Sequence, residues 1–238
     1  MSKKRLPPEA AEIYPGKSSS LRIKSRRLTG NQLKLLKLSL EESSKVIFVS
    51  GPAGSTKTYM AVYSALKEIR KNNELDLLYV RTAIESAEKN LGFLPGDVED
   101  KFNPYMAPLE DKLLEILDNN ESPSALESLM RSGRIRAMPV NFLRGASWVN
   151  KIVVADEAQN FTFSELVTLI TRIGENCKLF ICGDLMQSDI NGKSGFGAMI
   201  KAFNDAESRA HGIYCFEFSE EDICRSEILK FIIRKIQK

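Results

Sequence analysis

Eight residues constrain this chain more than any others: Gly51-Pro52-Ala53-Gly54-Ser55-Thr56-Lys57-Thr58. Ahead of them stands VIFVS (Val46–Ser50), a short apolar run of strand-forming residues that reads as a buried strand. Behind them, residues 57–71 follow a helical pattern. Glycines in a strand-to-helix turn let the backbone bend tightly and bring its N–H groups up to an anion. The following helix aims its positive end at the same point. The spacing places Lys57 against the β- and γ-phosphates of a nucleotide and the Thr58 hydroxyl on Mg²⁺. One position departs from the pattern: where a second glycine is expected, this chain has Thr56.

A second segment fits the first. IVVADEAQ (Ile152–Gln159) is a buried-strand run ending in two acids, which sets carboxylates at the carboxyl end of a strand. Asp156 is expected to hold Mg²⁺, and Glu157 to orient or deprotonate an attacking water. ICGDLMQ (Ile181–Gln187) ends a further strand with polar groups. Gln187 there is suited to sense a γ-phosphate or the water, and Asp184 to cap a turn or join the metal's surroundings. Taken singly, each segment also reads as an ordinary strand and turn.

The remaining pattern alternates strands and helices. Strands are expected at Asp76–Arg81, Ile135–Val140, Lys151–Asp156, Lys178–Asp184 and Tyr214–Phe218. Helices are expected at Asn31–Glu42, with Leu33, Leu36 and Leu40 on one face, and at Ser164–Ile173. A last helix opens with SEED (Ser219–Asp222), which resembles a capping box. This order implies one α/β domain with a mainly parallel sheet covered on both faces. Residues 82–133 read as an insertion of short helices and loops, with Pro104 expected to break any helix that crosses it.

Charge divides the chain. Residues 1–27 hold eight Lys/Arg against two Glu, a basic flexible arm at +6, while residues 28–238 carry −3. Such an arm suits nucleic acid phosphates and equally suits a solvated tail. No apolar run is long enough to span a membrane, and no apolar stretch follows the basic start, so a cytoplasmic chain is expected. Cys177, Cys182, Cys215 and Cys224 form no CxxC pair, and His211 is the only histidine, so buried thiols are expected rather than a zinc site.

The blocks GPAGSTKTYMAV, RTAIESAEKNLGFLPGDVEDKFNPYMAPL, NFLRGASWVNKIVVADEAQNFT, GDLMQSDI and DICRSEILKFI resemble the PhoH-like family, P-loop ATPases related to superfamily-one helicases. The resemblance runs from about Gln32 to the C-terminus. It implies a RecA-like fold, ATP or ADP held by residues 51–58 with Tyr59, and Mg²⁺ on Thr58 and Asp156. It also implies Gln32 as the group that reads the adenine edge, and Arg225 as the arginine set against the γ-phosphate. Arg81 and Arg144 occupy family-typical positions, serving phosphate, nucleic acid or a neighbouring subunit. The family pattern has Gly at Thr56 and Pro at Thr82. Nuclease activity, found in domains fused to some relatives, is not expected of these residues.

A single RecA-like unit leaves its nucleotide site open. The expected completion is a homo-oligomer, such as a hexameric ring, hydrolysing Mg-ATP and acting on RNA or single-stranded DNA. The rival reading is a nucleotide-dependent regulator or nucleic-acid-binding module without turnover. A small-substrate kinase also fits the phosphate loop, but neither a lid nor an acceptor site can be identified for it.

Overall fold

The computed structural model describes residues 21–82, 98–118, 122–143, 147–187, 190, 192–224, 228, 231, 232 and 235. Six strands form one sheet: β1 (Val46–Ser50), β2 (Asp76–Arg81), β3 (Ile135–Pro139), β4 (Lys151–Ala155), β5 (Lys178–Gly183) and β6 (Ile213–Glu217). Their order across the sheet is β3-β2-β4-β5-β1-β6, and every neighbouring pair is parallel. The chain therefore forms the parallel α/β sheet expected from its strand and helix pattern. All six carboxyl ends point the same way, the edge where ligands of such sheets gather.

Both faces are buried, which is why the strands read as continuous apolar runs. Ile47 and Val49 of β1 and Ile152 and Val154 of β4 enter one core. It is covered by α1 (Gly30–Leu40), α2 (Lys57–Lys71), α3 (Val98–Ile116) and α4 (Ser122–Arg131). Their neighbours Val46, Phe48, Val153 and Ala155 enter the other core, under α5 (Phe163–Ile170) and α6 (Phe196–Phe203). A short α7 (Ala206–Ala210) leads into β6.

Four expectations need correction. In α1 the buried face is Gln32, Leu35 and Ser39, while Leu33 is exposed. The cause is a capping box: Thr29 Oγ1 accepts from Gln32 N, and Thr29 N donates to Gln32 Oε1, which turns Gln32 inward.

Next, α3 does not break at Pro104 but runs unbroken through Pro104 and Pro108. Each interior proline costs about 3 kcal/mol. Against that, Leu109, Leu113 and Ile116 are fully buried, at roughly 1.5–3 kcal/mol each. A single amphipathic helix therefore wins over shorter pieces.

Third, the arm ends earlier than residue 27. Leu21 is buried, Ile23 pairs antiparallel with Leu117, and Lys24 N donates to Ile116 O at 2.9 Å. Residues 1–20 lie outside the described residues. Finally, Cys177 and Cys182 are buried, but Cys215 is half-buried and Cys224 is exposed.

Candidate nucleotide-binding site

The loop between β1 and α2 takes a path that side chains resist. Gly51 has φ +152°, and a Cβ there would lie 2.8 Å from Phe218 Cβ and from the Phe218 carbonyl oxygen. Thr56 has φ 67° and ψ 19°, the left-handed region, at the position where the pattern wants glycine. A non-glycine residue there costs roughly 1–2 kcal/mol. Its hydroxyl makes no cap to α2 and instead accepts a 2.9 Å bond from Gln32 Nε2. The first intrahelical bond is Met60 N to Thr56 O, so the N–H groups of residues 57–59 precede the helical ladder. That is the geometry of an anion cradle.

Lys57 folds over the loop, with Nζ donating to Gly51 O at 2.7 Å and Pro52 O at 2.9 Å. Burial pushes its ammonium below the ordinary lysine value, and the Asp184 carboxylate is the largest pull in the other direction.

β4 delivers Asp156 and Glu157 to the same edge, with β5 lying between β4 and β1. Thr58 Oγ1 donates to Asp156 Oδ1 at 2.5 Å, which ties the phosphate loop to the strand end two strands away. The other oxygen of Asp156 accepts from the Tyr79 phenol of β2. Tyr79 is fully buried, and burial together with the Asp156 charge pushes its pKa well up. Arg81 stands 4.0 Å from Asp156 Oδ2 and 3.9 Å from Glu157 Oε1. Glu157 is itself left-handed, at φ 55°, and Gln159 Nε2 donates to its Oε2 at 2.5 Å. Asp184 N donates to Gln159 Oε1 at 3.0 Å, and Asp184 Oδ1 caps the turn by accepting from Met186 N at 2.9 Å. Asp184 Oδ2 is buried without a hydrogen-bond partner.

These groups line one cavity of about 440 Å³. It includes Ala53, Gly54, Thr56, Lys57, Thr58, Tyr59, Asp156, Glu157 and Gln187 from the sequence expectations. Gly51, Pro52 and Ser55 form the turn behind it, with Ser55 Oγ donating to Pro52 O. Gln32 is buried beneath the loop, its amide engaged by Thr29 and Thr56. Arg144 and Arg225 lie outside the described residues. Cys224 lines the cavity, and its N–H donates to Gly54 O at 3.3 Å. Tyr79 and Arg26 were missed as site residues. Tyr79 hides in the apolar run DLLYVR, and Arg26 lies in the basic arm.

The donor set fits Mg²⁺. Thr58 and Asp156 offer hard oxygens 2.5 Å apart. Among the described residues no cluster of three or more His, Cys, Asp or Glu could hold a metal alone. Mg²⁺ bound through one carboxylate and substrate phosphates needs no such cluster.

The family described as PhoH-like protein matches residues 23–237. A PhoH-like protein of Synechocystis sp. is 35% identical over 81% of this chain and 57% of its own length. The PhoH-like protein of Bacillus subtilis is 33% identical over 81% of this chain and 58% of its own length. Protein PhoH of Escherichia coli K12 is 31% identical over 90% of this chain and 59% of its own length. The chain thus spans little more than half the length of these relatives. Among solved structures, a Bacteroides sp. Pif1 in complex with ADP-AlF4 aligns at 19% identity and TM-score 0.39, over 87% of this chain and 45% of that one.

Proposed function

The chain belongs to the PhoH-like family, and on that premise we propose that it binds and hydrolyses Mg-ATP at the cavity between β1, β4 and β5. The observation that carries the proposal is the 2.5 Å bond between Thr58 and Asp156. It brings a phosphate loop and an acidic strand end into one cavity with Lys57 and Glu157. Lys57 exchanges its loop carbonyls for the β- and γ-phosphate oxygens, and the N–H groups of residues 57–59 hold the same phosphates. Thr58 and Asp156 would hold Mg²⁺, which supplies charge neutralisation on the phosphates. Glu157 takes a proton from the attacking water as the water oxygen bonds to the γ-phosphorus and the bond to the β-phosphate oxygen breaks. Arg81 keeps both carboxylates oriented, and Gln187 at the cavity wall senses the γ-phosphate.

The active form in this reading is a homo-oligomer in which Arg225 completes a site, its own or a neighbour's. Leu185 and Met186, exposed beside Gln187, favour a covered mouth. The substrate polymer is RNA or single-stranded DNA, supported by the basic residues Lys3, Lys4, Arg5 and Lys17 of residues 1–20. Steady-state ATP hydrolysis with and without RNA or single-stranded DNA tests the whole reading. Stimulation by either polymer is expected. Turnover that ignores both removes the nucleic-acid part, and no turnover removes the enzyme.

A further inference from the structure

At one wall of the cavity, three segments remote in sequence meet. Residues 21–26 are fixed to the end of α3 by the Ile23–Leu117 bridge and by Asp118 N donating to Arg22 O at 2.8 Å. Arg26 is thereby held over α2, its guanidinium 4.9 Å from the centre of the Tyr59 ring. Arg26 Nη1 donates to Glu115 Oε1 of α3 at 2.8 Å. Hydrogen bonds to Glu115, the larger cause, and to Tyr59 push the Arg26 guanidinium above the ordinary arginine value. Tyr59 follows Thr58 directly and is backed by Tyr63, with ring centres 6.0 Å apart and planes 16° from parallel. Arg26, Tyr59, Asp111 and Glu115 line the same cavity as Lys57 and Asp156. The Arg26 and Glu115 side chains remain 42% and 46% exposed. The guanidinium thus lies over the Tyr59 ring while the side chain still reaches open space.

Gln32, the residue the family resemblance assigns to the base, is otherwise engaged. It is 4% exposed, its Oε1 accepts from Thr29 N, and its Nε2 donates to Thr56 Oγ1. It does not line the cavity.

We propose that the purine of a nucleoside triphosphate stacks on the Arg26 guanidinium, backed by Tyr59, with Glu115 accepting from N–H donors on the base edge. The assignment rests on the phosphate-site reading above and adds the base-reading residues to it. A guanidinium already held by Glu115 and over a ring offers a planar cationic group with reduced ordering cost. Stacking of a base on such a group raises affinity by about twofold to thirtyfold. An ionised carboxylate only accepts, so Glu115 favours base edges that carry N–H groups.

The test compares two ligands by calorimetry: Mg-ATP, and Mg-tripolyphosphate, which has phosphates but no base. In Arg26→Ala, Mg-ATP binding weakens about tenfold while tripolyphosphate binding holds, so the base's contribution collapses. Glu115→Gln, which keeps its side-chain volume, shifts the ratio in the same direction. Retained tripolyphosphate binding also shows that each variant is folded. Unchanged ATP affinity in both variants overturns the assignment, as does an equal loss for both ligands. Lys57→Ala separates the two levels of the argument: if it still binds tripolyphosphate, the phosphate-site reading fails, whatever Arg26 does.

Discussion

Thr56 carries two opposing costs that two substitutions can separate. Its left-handed backbone costs roughly 1–2 kcal/mol, and alanine at the same place would carry a penalty of the same kind. Its hydroxyl accepts the 2.9 Å bond from Gln32, worth about 0.5–1.5 kcal/mol net. Orphaning the amide of a residue as buried as Gln32 costs about 1–3 kcal/mol. Thr56→Ala keeps the backbone strain and loses the bond, so it should destabilise by about 1–2 kcal/mol. For a chain of this size that lowers Tm by about 2–8 °C. Thr56→Gly relieves the strain and loses the same bond, so the two effects nearly cancel and Tm stays within about 4 °C. Thermal unfolding followed by circular dichroism measures both. Thr56→Ala as stable as the wild type, together with Thr56→Gly stabilised by the full 2 kcal/mol or so, would refute the reasoning, because the hydroxyl bond would then contribute nothing. Thr56→Gly should also bind Mg-ATP as well as or better than the wild type. Distinctly weaker binding would mean that the threonine contacts the nucleotide itself.

Other expectations rest on single features of the site. Tyr79→Phe removes the phenol that holds Asp156, and should raise the Mg²⁺ concentration needed for tight ATP binding by about tenfold while leaving Mg-free binding unchanged. Coincident Mg²⁺ titrations would count against that role. Deleting residues 1–20, and not the packed residues 21–27, should weaken binding to single-stranded nucleic acid and flatten its salt dependence, read by fluorescence anisotropy. Arg225→Ala should lower turnover by about 10³-fold with nucleotide binding largely kept, and light scattering should show an assembly larger than a dimer. A fully active monomer would exclude the shared site.

What was legible in the sequence follows from locality. The strands that carry the site are short apolar runs ended by Gly51, Asp156 and Asp184, so both their position and their polar ends show in the primary pattern. The loop's strain at Thr56 was also readable, since one residue breaks the glycine rule. The buried face of α1 was not: the Thr29–Gln32 capping box turns Gln32 inward, and the group its amide meets there, Thr56, lies 24 residues away. α6 did have an available signal, Phe196, Met199, Ile200 and Phe203 at helical spacing. α3 overrode its prolines through burial that only the folded core supplies. Tyr79 looks like any other member of an apolar strand until β4 lies beside β2 and brings Asp156 to its hydroxyl. The Arg26–Tyr59–Glu115 cluster draws on three segments that no local pattern connects.

The central claim is that one cavity both binds and hydrolyses Mg-ATP, and a paired titration of Lys57→Ala and Glu157→Gln tests it most directly. Removing Lys57 strips the cation from the phosphate cradle, whereas glutamine at 157 keeps the shape and cannot take up the water's proton. The account predicts that Lys57→Ala loses Mg-ATP binding, and that Glu157→Gln binds like the wild type with turnover abolished. Lys57→Ala binding Mg-ATP with wild-type affinity, or Glu157→Gln turning over at the wild-type rate, would contradict it.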